Sequence, residues 1–354
     1  MFYRENGQFK TSYRKDQQIF PILQDRAFIL LLIAAAVFVV PMFASDYFFS
    51  AILIPFLILS LAAIGLNILV GYCGQISLGS GAFMAVGAYA AWNFGVRIPE
   101  LPLLIQILLG GFFAMLVGVV FGIPSLRIRG LYLAVATLAA QFFVCWVWLC
   151  IPFFTNYFSL GSVSMPALTF FGLDVQTPTQ KYIFVLLLVI VFALLAKNLV
   201  RGAIGREWMA IRDMDVAASV IGIRPMYAKL TAFAVSSFII GVAGVLWGYI
   251  HLGSWEPLAF DLNRSFQLLF MVIIGGLGSI AGSFFGAGFI VLLPILLTRI
   301  PAMLGIPIGV DTAAHIEHMV FGALIVFFLI VEPHGLAKLW SIAREKLRIW
   351  PFPH

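Results

Sequence analysis

Charge is what this chain has least of. Asp, Glu, Lys and Arg make up 10% of its 354 residues, against about a quarter in soluble domains. Cysteine is scarce as well: Cys73, Cys145 and Cys150 all lie in or beside apolar runs, and the five-residue step between the last two puts them on different helix faces. That excludes a disulfide or metal framework. No G-x-x-x-x-G-K-[ST] stretch is present, so the chain has no P-loop with which to cradle ATP phosphates. No Ser or Cys stands beside a base in the pattern of a hydrolytic nucleophile. Strict alternation of apolar and polar residues, the mark of a membrane barrel, is missing too.

What remains is hydrocarbon. Hydrophobic residues reach 62%, with 35 Phe, and the mean hydropathy is +1.07. A soluble core of this size does not need so much apolar surface, so the expected fold is all-α, a polytopic bundle of membrane helices. Apolar runs fall at about 27–44, 50–70, 77–95, 102–123, 131–151, 181–198, 229–250, 265–278, 283–299 and 315–331. The pair around Gly275 to Gly286 is short enough for a hairpin of half-crossings, so eight to ten transmembrane segments are expected. Residues 1–26 form a polar arm without the apolar core and cleavage site of a secretory signal. The membrane domain is then 27–333, and 334–354 is a basic tail.

Seventeen of the 21 Lys and Arg fall in Met1–Arg26, Pro124–Gly130, Lys197–Lys229 and the tail after Glu332. Basic loops stay on the cytoplasmic side, which places both termini there. The net charge of +6 is accounted for by orientation. No basic stripe carries interleaved aromatic residues on a soluble face, so nucleic acid is not an expected partner. Attraction of the arm and tail to anionic membrane lipid is.

The longest hydrophilic interruption of the second half is Gly205 to Pro225, GREWMAIRDMDVAASVIGIRP, inside the loop 201–228. Arg206, Arg212 and Arg224 alternate with Glu207, Asp213 and Asp215. Ile211, Met214, Ala218 and Ile221 recur at steps of three and four and predict one apolar stripe on a helix. Gly222 suits the left-handed residue that closes a helix, and Pro225 prevents continuation. Such a helix either lies on the headgroups or offers its stripe to a soluble partner.

Two glycine-rich stretches follow the same logic. In Leu66 to Tyr89, Gly71, Gly74 and Gly79 permit unusual backbone, while Gln75 and Ser77 need partners or a water-filled path inside a membrane. Ser77, Gly81 and Ala85 form a small-residue seam. In Met271 to Phe289, Gly278, Gly282 and Gly286 repeat every four residues, a close-packing signal. Gly71, Gly74 and Ile76 share their spacing with Gly275, Gly278 and Ile280, a weak internal echo. A further seam runs through Gly110, Ala114, Gly118 and Gly122. Asp311, His315, Glu317 and His318 cluster at the start of the last run, but their spacing matches no common zinc signature, and no metal site is expected. Glu256, Asp261 and Arg264 fall in an outward loop, either solvated or part of a surface for a soluble partner. Ionisable residues are nearly missing from the spans, whereas ion-coupled carriers keep acids or broken helices at mid-membrane.

Gly205 to Ile223 resembles the cytoplasmic loop of the LivM-type permeases, the branched-chain amino-acid members of the bacterial ABC importers. Their degenerate Ala-Ala-x-x-x-Gly pattern falls on Ala217, Ala218 and Gly222, with Val216 where the general loop has Glu. The arm FYRENGQFKTSY and both glycine-rich stretches resemble the same family, and the likeness is weakest over Pro152–Thr179. The resemblance implies a permease subunit of the inner membrane with no catalytic residue and no cofactor of its own. ATP and Mg would be bound by two cytoplasmic ATPases, LivG-like and LivF-like. A LivH-like second permease and a periplasmic binding protein would complete the importer. Arg206, Arg212, Asp213, Asp215, Ala217, Ala218 and Gly222 would dock the ATPases, and Gly74, Gln75, Ser77 and Gly79 would lie on the substrate path. The expected substrate is a branched-chain or other amino acid, with urea or a short amide as the alternative, or else a self-sufficient carrier or channel.

Overall fold

The computed structural model describes residues 11–12, 23–125, 131–155, 161–165, 169–170, 173–174, 176–303, 310–331 and 335–349. Leu23–Ala34 (α1) runs on through a widened turn, Ala35–Val39, to Phe43. Ser45 caps the next segment by accepting the Phe48 N–H, and the chain continues through a second widened turn, Phe49–Leu53, into Ile54–Asn67 (α2) and a third, Ile68–Tyr72. Ser80–Arg97 (α3), Leu103–Ser125 (α4) and Leu131–Cys150 (α5) follow. Pro178–Arg201 (α6) opens on a reciprocal cap between Thr177 and Gln180, with proline in the first turn where its missing N–H costs nothing. Ala203–Val220 (α7) precedes Pro225–Leu246 (α8), which extends to Leu252. Leu262–Gly275 (α9), Ile280–Met303 (α10), Val310–Val331 (α11) and Gly335–Ile349 (α12) complete the order.

Among the described residues, 8 helices are long and apolar enough to cross a membrane, Asp46–Tyr72 and Pro225–Leu252 being the longest. The polytopic helical bundle is therefore the observed fold. The expected hairpin of two half-crossings is not what is found: Pro257–Gly275 (19 residues), which includes the 14 residues of α9, and Ile280–Leu297 (18 residues) within α10 are both among these eight. The chain enters α9 through the turn Pro257–Phe260 and the Asp261 cap, so this helix starts inside the bundle.

The bundle is built around α8, which packs on α2, α3 and α4. Small residues set its spacing. A Cβ at Gly87 would run into the backbone of Gly241, one at Gly244 into the backbone of Met84, and one at Gly118 into Ser237. Without a hydrophobic drive between helices in lipid, such backbone approach supplies the dispersion contacts. The seam through Gly110, Gly118 and Gly122 therefore faces this chain's own helices. Away from this centre the apolar surface is open, as at Leu31, Val120 and Ile330, which is ordinary where hydrocarbon is the solvent. Beyond α8, Val163–Ser164 (β1) pairs antiparallel with Ser254–Trp255, tying the segment after α5 to the entry of α9.

The basic tail contains a helix, α12. Gly335, at φ 65°, lets α12 start against the backbone of Ile274 and Gly276. The ring of Trp340 then packs 5.8 Å from Phe285.

Candidate functional site

At one end of the bundle α7 is held by a corner so tight that a Cβ at Gly205 would strike the Val200 backbone. Trp208 is fully buried and donates its indole N–H to Thr231 Oγ1 of α8 at 3.1 Å. The helix is not continuous. Met214 has extended backbone (φ −161°, ψ 96°) and divides α7 in two. The expected single stripe is thereby corrected: Ile211 and Ala218 are buried, while Met214 is 67% and Ile221 75% exposed. The break turns the second half so that Asp215 reaches the buried Lys229 of α8 at 4.0 Å. Ala218 packs inward there, and Met214, Val216, Val220 and Ile221 form an outward apolar patch.

The second half of α7 closes as the sequence pattern predicts. Gly222 is left-handed (φ 93°). The Gly222 N–H donates to Ser219 O and the Ile223 N–H to Ala218 O at 3.0 Å, which is the Schellman arrangement. Pro225 starts α8 two residues later.

Arg212 joins this helix to both glycine turns. Its guanidinium donates to Gly71 O at 3.0 Å and pairs with Asp213 at 2.9 Å. A Cβ at Gly74 would crowd the Arg212 stem at 3.0 Å, and one at Gly278 would lie 3.3 Å from its Nη1. Gly74 and Gly278 adopt nearly the same left-handed φ, 71° and 73°, so the weak spacing echo corresponds to two similar turns set side by side. Asn67, buried at the end of α2, locks them: its Oδ1 accepts the Gly278 N–H at 2.9 Å, and its Nδ2 donates to Ser279 O at 2.8 Å and Ser283 Oγ at 3.0 Å. Cys73 sits beneath, its thiol pushed up to about 12 by burial, with the charge of Lys229 opposing.

From this junction the chain Cys73–Gly79 runs without helix into the bundle. Gln75 is half-buried, Ser77 is buried and accepts from the Gly79 N–H, and Gly79 lies against the Thr137 backbone of α5. The Leu78 N–H donates to Thr137 Oγ1 at 2.9 Å. One turn further along α5, at its middle, Gln141 accepts the Ala82 N–H and a hydrogen bond from Ser265 Oγ, and donates to Phe260 O at 2.7 Å. The Gly81 N–H donates to Ser265 Oγ at 2.8 Å. The start of α3, entered from the α7 end, thus meets the start of α9, entered from the other. Both helix N-termini, where backbone N–H groups lack helical partners, converge on Gln141. Ser80 Oγ is buried beside them without a hydrogen-bond partner.

Of the remaining expected residues, Arg206 and Ala217 are exposed on α7, and Arg206 reaches back to Arg201 O. Gly282 and Gly286 lie against the α9 backbone at Gly275 and Met271, while Gly278 belongs to the turn. Asp261 caps α9, and Arg264 is stacked 4.4 Å over the Trp247 ring, so neither is a freely solvated loop charge. Glu256 is exposed. The side chains of Asp311, His315, Glu317 and His318 lie outside the described residues, and among those described no His, Cys, Asp and Glu group has the grouping to hold a metal. Trp208, Asn67, Thr137, Gln141 and Ser265 were not singled out from the sequence. The signal for Asn67 and Gln141 was a lone amide inside an unbroken apolar run.

The model of the branched-chain amino acid transport system permease component matches residues 48–329. The chain belongs to this family. LivM, the high-affinity branched-chain amino acid transport system permease protein, is 29% identical in Escherichia coli and 28% in Salmonella typhimurium. Each match runs over 307 residues, 78% of this chain and 67% of the relative. A probable branched-chain amino acid transport permease protein LivM of Methanocaldococcus jannaschii is 25% identical over 244 residues, 66% of this chain and 68% of that one. No solved structure matches. The matched span of the permease contains both glycine turns, α7 and the Gln141 convergence, and family and helices together make the chain a multi-pass inner-membrane protein.

Proposed function

We propose that this permease is one membrane subunit of an ATP-driven importer for branched-chain amino acids. A LivH-like permease pairs with it, and a soluble binding protein delivers substrate from outside. LivG-like and LivF-like ATPases, which bind the ATP and Mg, dock on the outward patch of α7 at Met214, Val216, Val220 and Ile221. Both termini and α7 are cytoplasmic on the distribution of Lys and Arg. The observation that carries this reading is Arg212: one side chain on the docking helix holds Gly71 O and borders Gly278. Movement of α7 is thereby passed to both turns, and through Cys73–Gly79 and α9 to the convergence at Gln141. Gly74, Gln75, Ser77 and Gly79 lie on that route, and the N-termini of α3 and α9 are suited to a substrate carboxylate.

The test is Arg212→Ala in the assembled transporter reconstituted with its binding protein. The ATPases remain bound and hydrolyse ATP, while leucine uptake falls at least tenfold, about 1.4 kcal/mol of lost coupling. Undiminished uptake would remove Arg212 from the coupling path. Uptake by this chain alone without ATP would put a self-sufficient carrier in place of the importer.

A further inference from the structure

On the side of the bundle away from Arg212, α3, α4 and α5 enclose a groove of about 750 Å³. Its walls include Val86 and Ala90 of α3, Val117 of α4, and Val144 and Trp148 of α5. The polar side-chain groups of the lining are Asn93, Arg97 and the indole N–H of Trp148. Asn93 is committed, its amide donating to Tyr89 O at 2.8 Å and Phe154 O at 2.7 Å. Arg97 is in the last turn of α3, where α5 ends and α4 begins. It is exposed, donates one N–H to Phe153 O at 2.8 Å, and lies 3.7 Å over the Phe153 ring. Among the described residues no carboxylate is within ion-pair distance of it. The groove opens sideways past Leu116, Val120 and Phe143, all exposed to the surroundings of the bundle.

We propose that this groove is a binding site for an anionic phospholipid, one acyl chain lying between α4 and α5 and the phosphate held by Arg97. The pattern of an apolar trough ending in an interfacial guanidinium matches an amphiphile with a negative head. Arginine suits the phosphate because its forked N–H donors can contact two oxygens at once. An amino acid fits poorly, since beyond the Asn93 side-chain oxygen the walls offer its ammonium group only aliphatic and aromatic side chains. A helix of a second permease also fits poorly. It would cover Arg97 and desolvate the charge unless it brought an acid of its own. On the orientation proposed above the lipid belongs to the outer leaflet, but the assignment of lipid does not depend on that.

The test uses the whole transporter in bilayers doped with phosphatidylglycerol or phosphatidylcholine, each carrying the same photoreactive group midway along one acyl chain. Cross-links from phosphatidylglycerol should fall on the α3 and α5 peptides lining the groove, at about five times the yield of phosphatidylcholine, the ratio expected for one basic residue facing an anionic headgroup. Arg97→Gln, a change at an exposed position, should bring the two yields together without loss of protein. Ala90→Trp should fill the trough and abolish cross-linking from both. Equal yields from the two lipids in the unaltered protein would overturn the proposal, as would phosphatidylglycerol yields indifferent to Arg97→Gln. Labelling of the isolated chain that disappears in the assembled transporter would show that a partner subunit, not lipid, occupies the groove. These outcomes leave the importer reading untouched, because none of them measures uptake.

Discussion

Asn67 shows how much one amide can fix in a chain with so few polar groups. It satisfies a backbone donor and a backbone acceptor of the turn after α9, groups that lipid could not solvate. Replacing it by Leu keeps the volume and leaves the Gly278 N–H unpaired, while Ser279 O keeps the Ser283 N–H. Buried groups left so cost about 1–3 kcal/mol. The melting temperature of the purified complex should therefore fall in Asn67→Leu. Asn67→Asp retains an acceptor for Gly278 but buries a charge and sets its second oxygen against Ser279 O, so it should melt no higher than Asn67→Leu. Equal melting in all three proteins would mean that the turn is held from elsewhere. The residue itself was visible in the sequence as an isolated amide among Ala, Ile and Leu, but its partners lie 209 to 216 positions away. No local pattern announces contacts at that distance.

At the scale of elements, the apolar runs gave the helices because length and hydropathy are read along the chain, and the Gly222–Pro225 ending was equally local. The break at Met214 was not, since no Gly or Pro flanks it and Asp213, Asp215 and Val216 disfavour helix only weakly. It follows from tertiary ties on either side, Arg212 to Gly71 and Asp215 to Lys229. The consequence is measurable, because the break assigns the two faces of α7 differently from an unbroken helix. Val220 is 82% exposed and Ala218 2%. Val220→Glu should leave the amount of folded permease unchanged and reduce recovery of the ATPases with it. Ala218→Glu should bury a charge without a partner, a cost of several kcal/mol, and lower the folded protein itself. If Ala218→Glu folds normally and only the ATPases are lost, α7 is continuous in the membrane and Ala218 faces outward.

For the whole molecule the arrangement of broken segments matters more than the number of crossings. Two chain segments enter the bundle from opposite ends, and each begins a helix beside Gln141. That arrangement could not be read from hydropathy, since the α3 region and α9 score as ordinary apolar runs. Which end faces the cytoplasm decides whether energy enters at the Arg212 turns, and it can be measured directly. With the native cysteines replaced, Ser12→Cys and Ser341→Cys should react with an impermeant maleimide only after the membrane is opened. Ser164→Cys, the exposed residue of β1 beside Ser254, should react in intact cells. All three side chains are exposed, so a missing reaction reports the side of the membrane rather than burial. Reaction of Ser12→Cys or Ser341→Cys in intact cells would invert the bundle. The patch on α7 would then face the binding protein instead of the ATPases, and coupling through Arg212 would lose its source of energy.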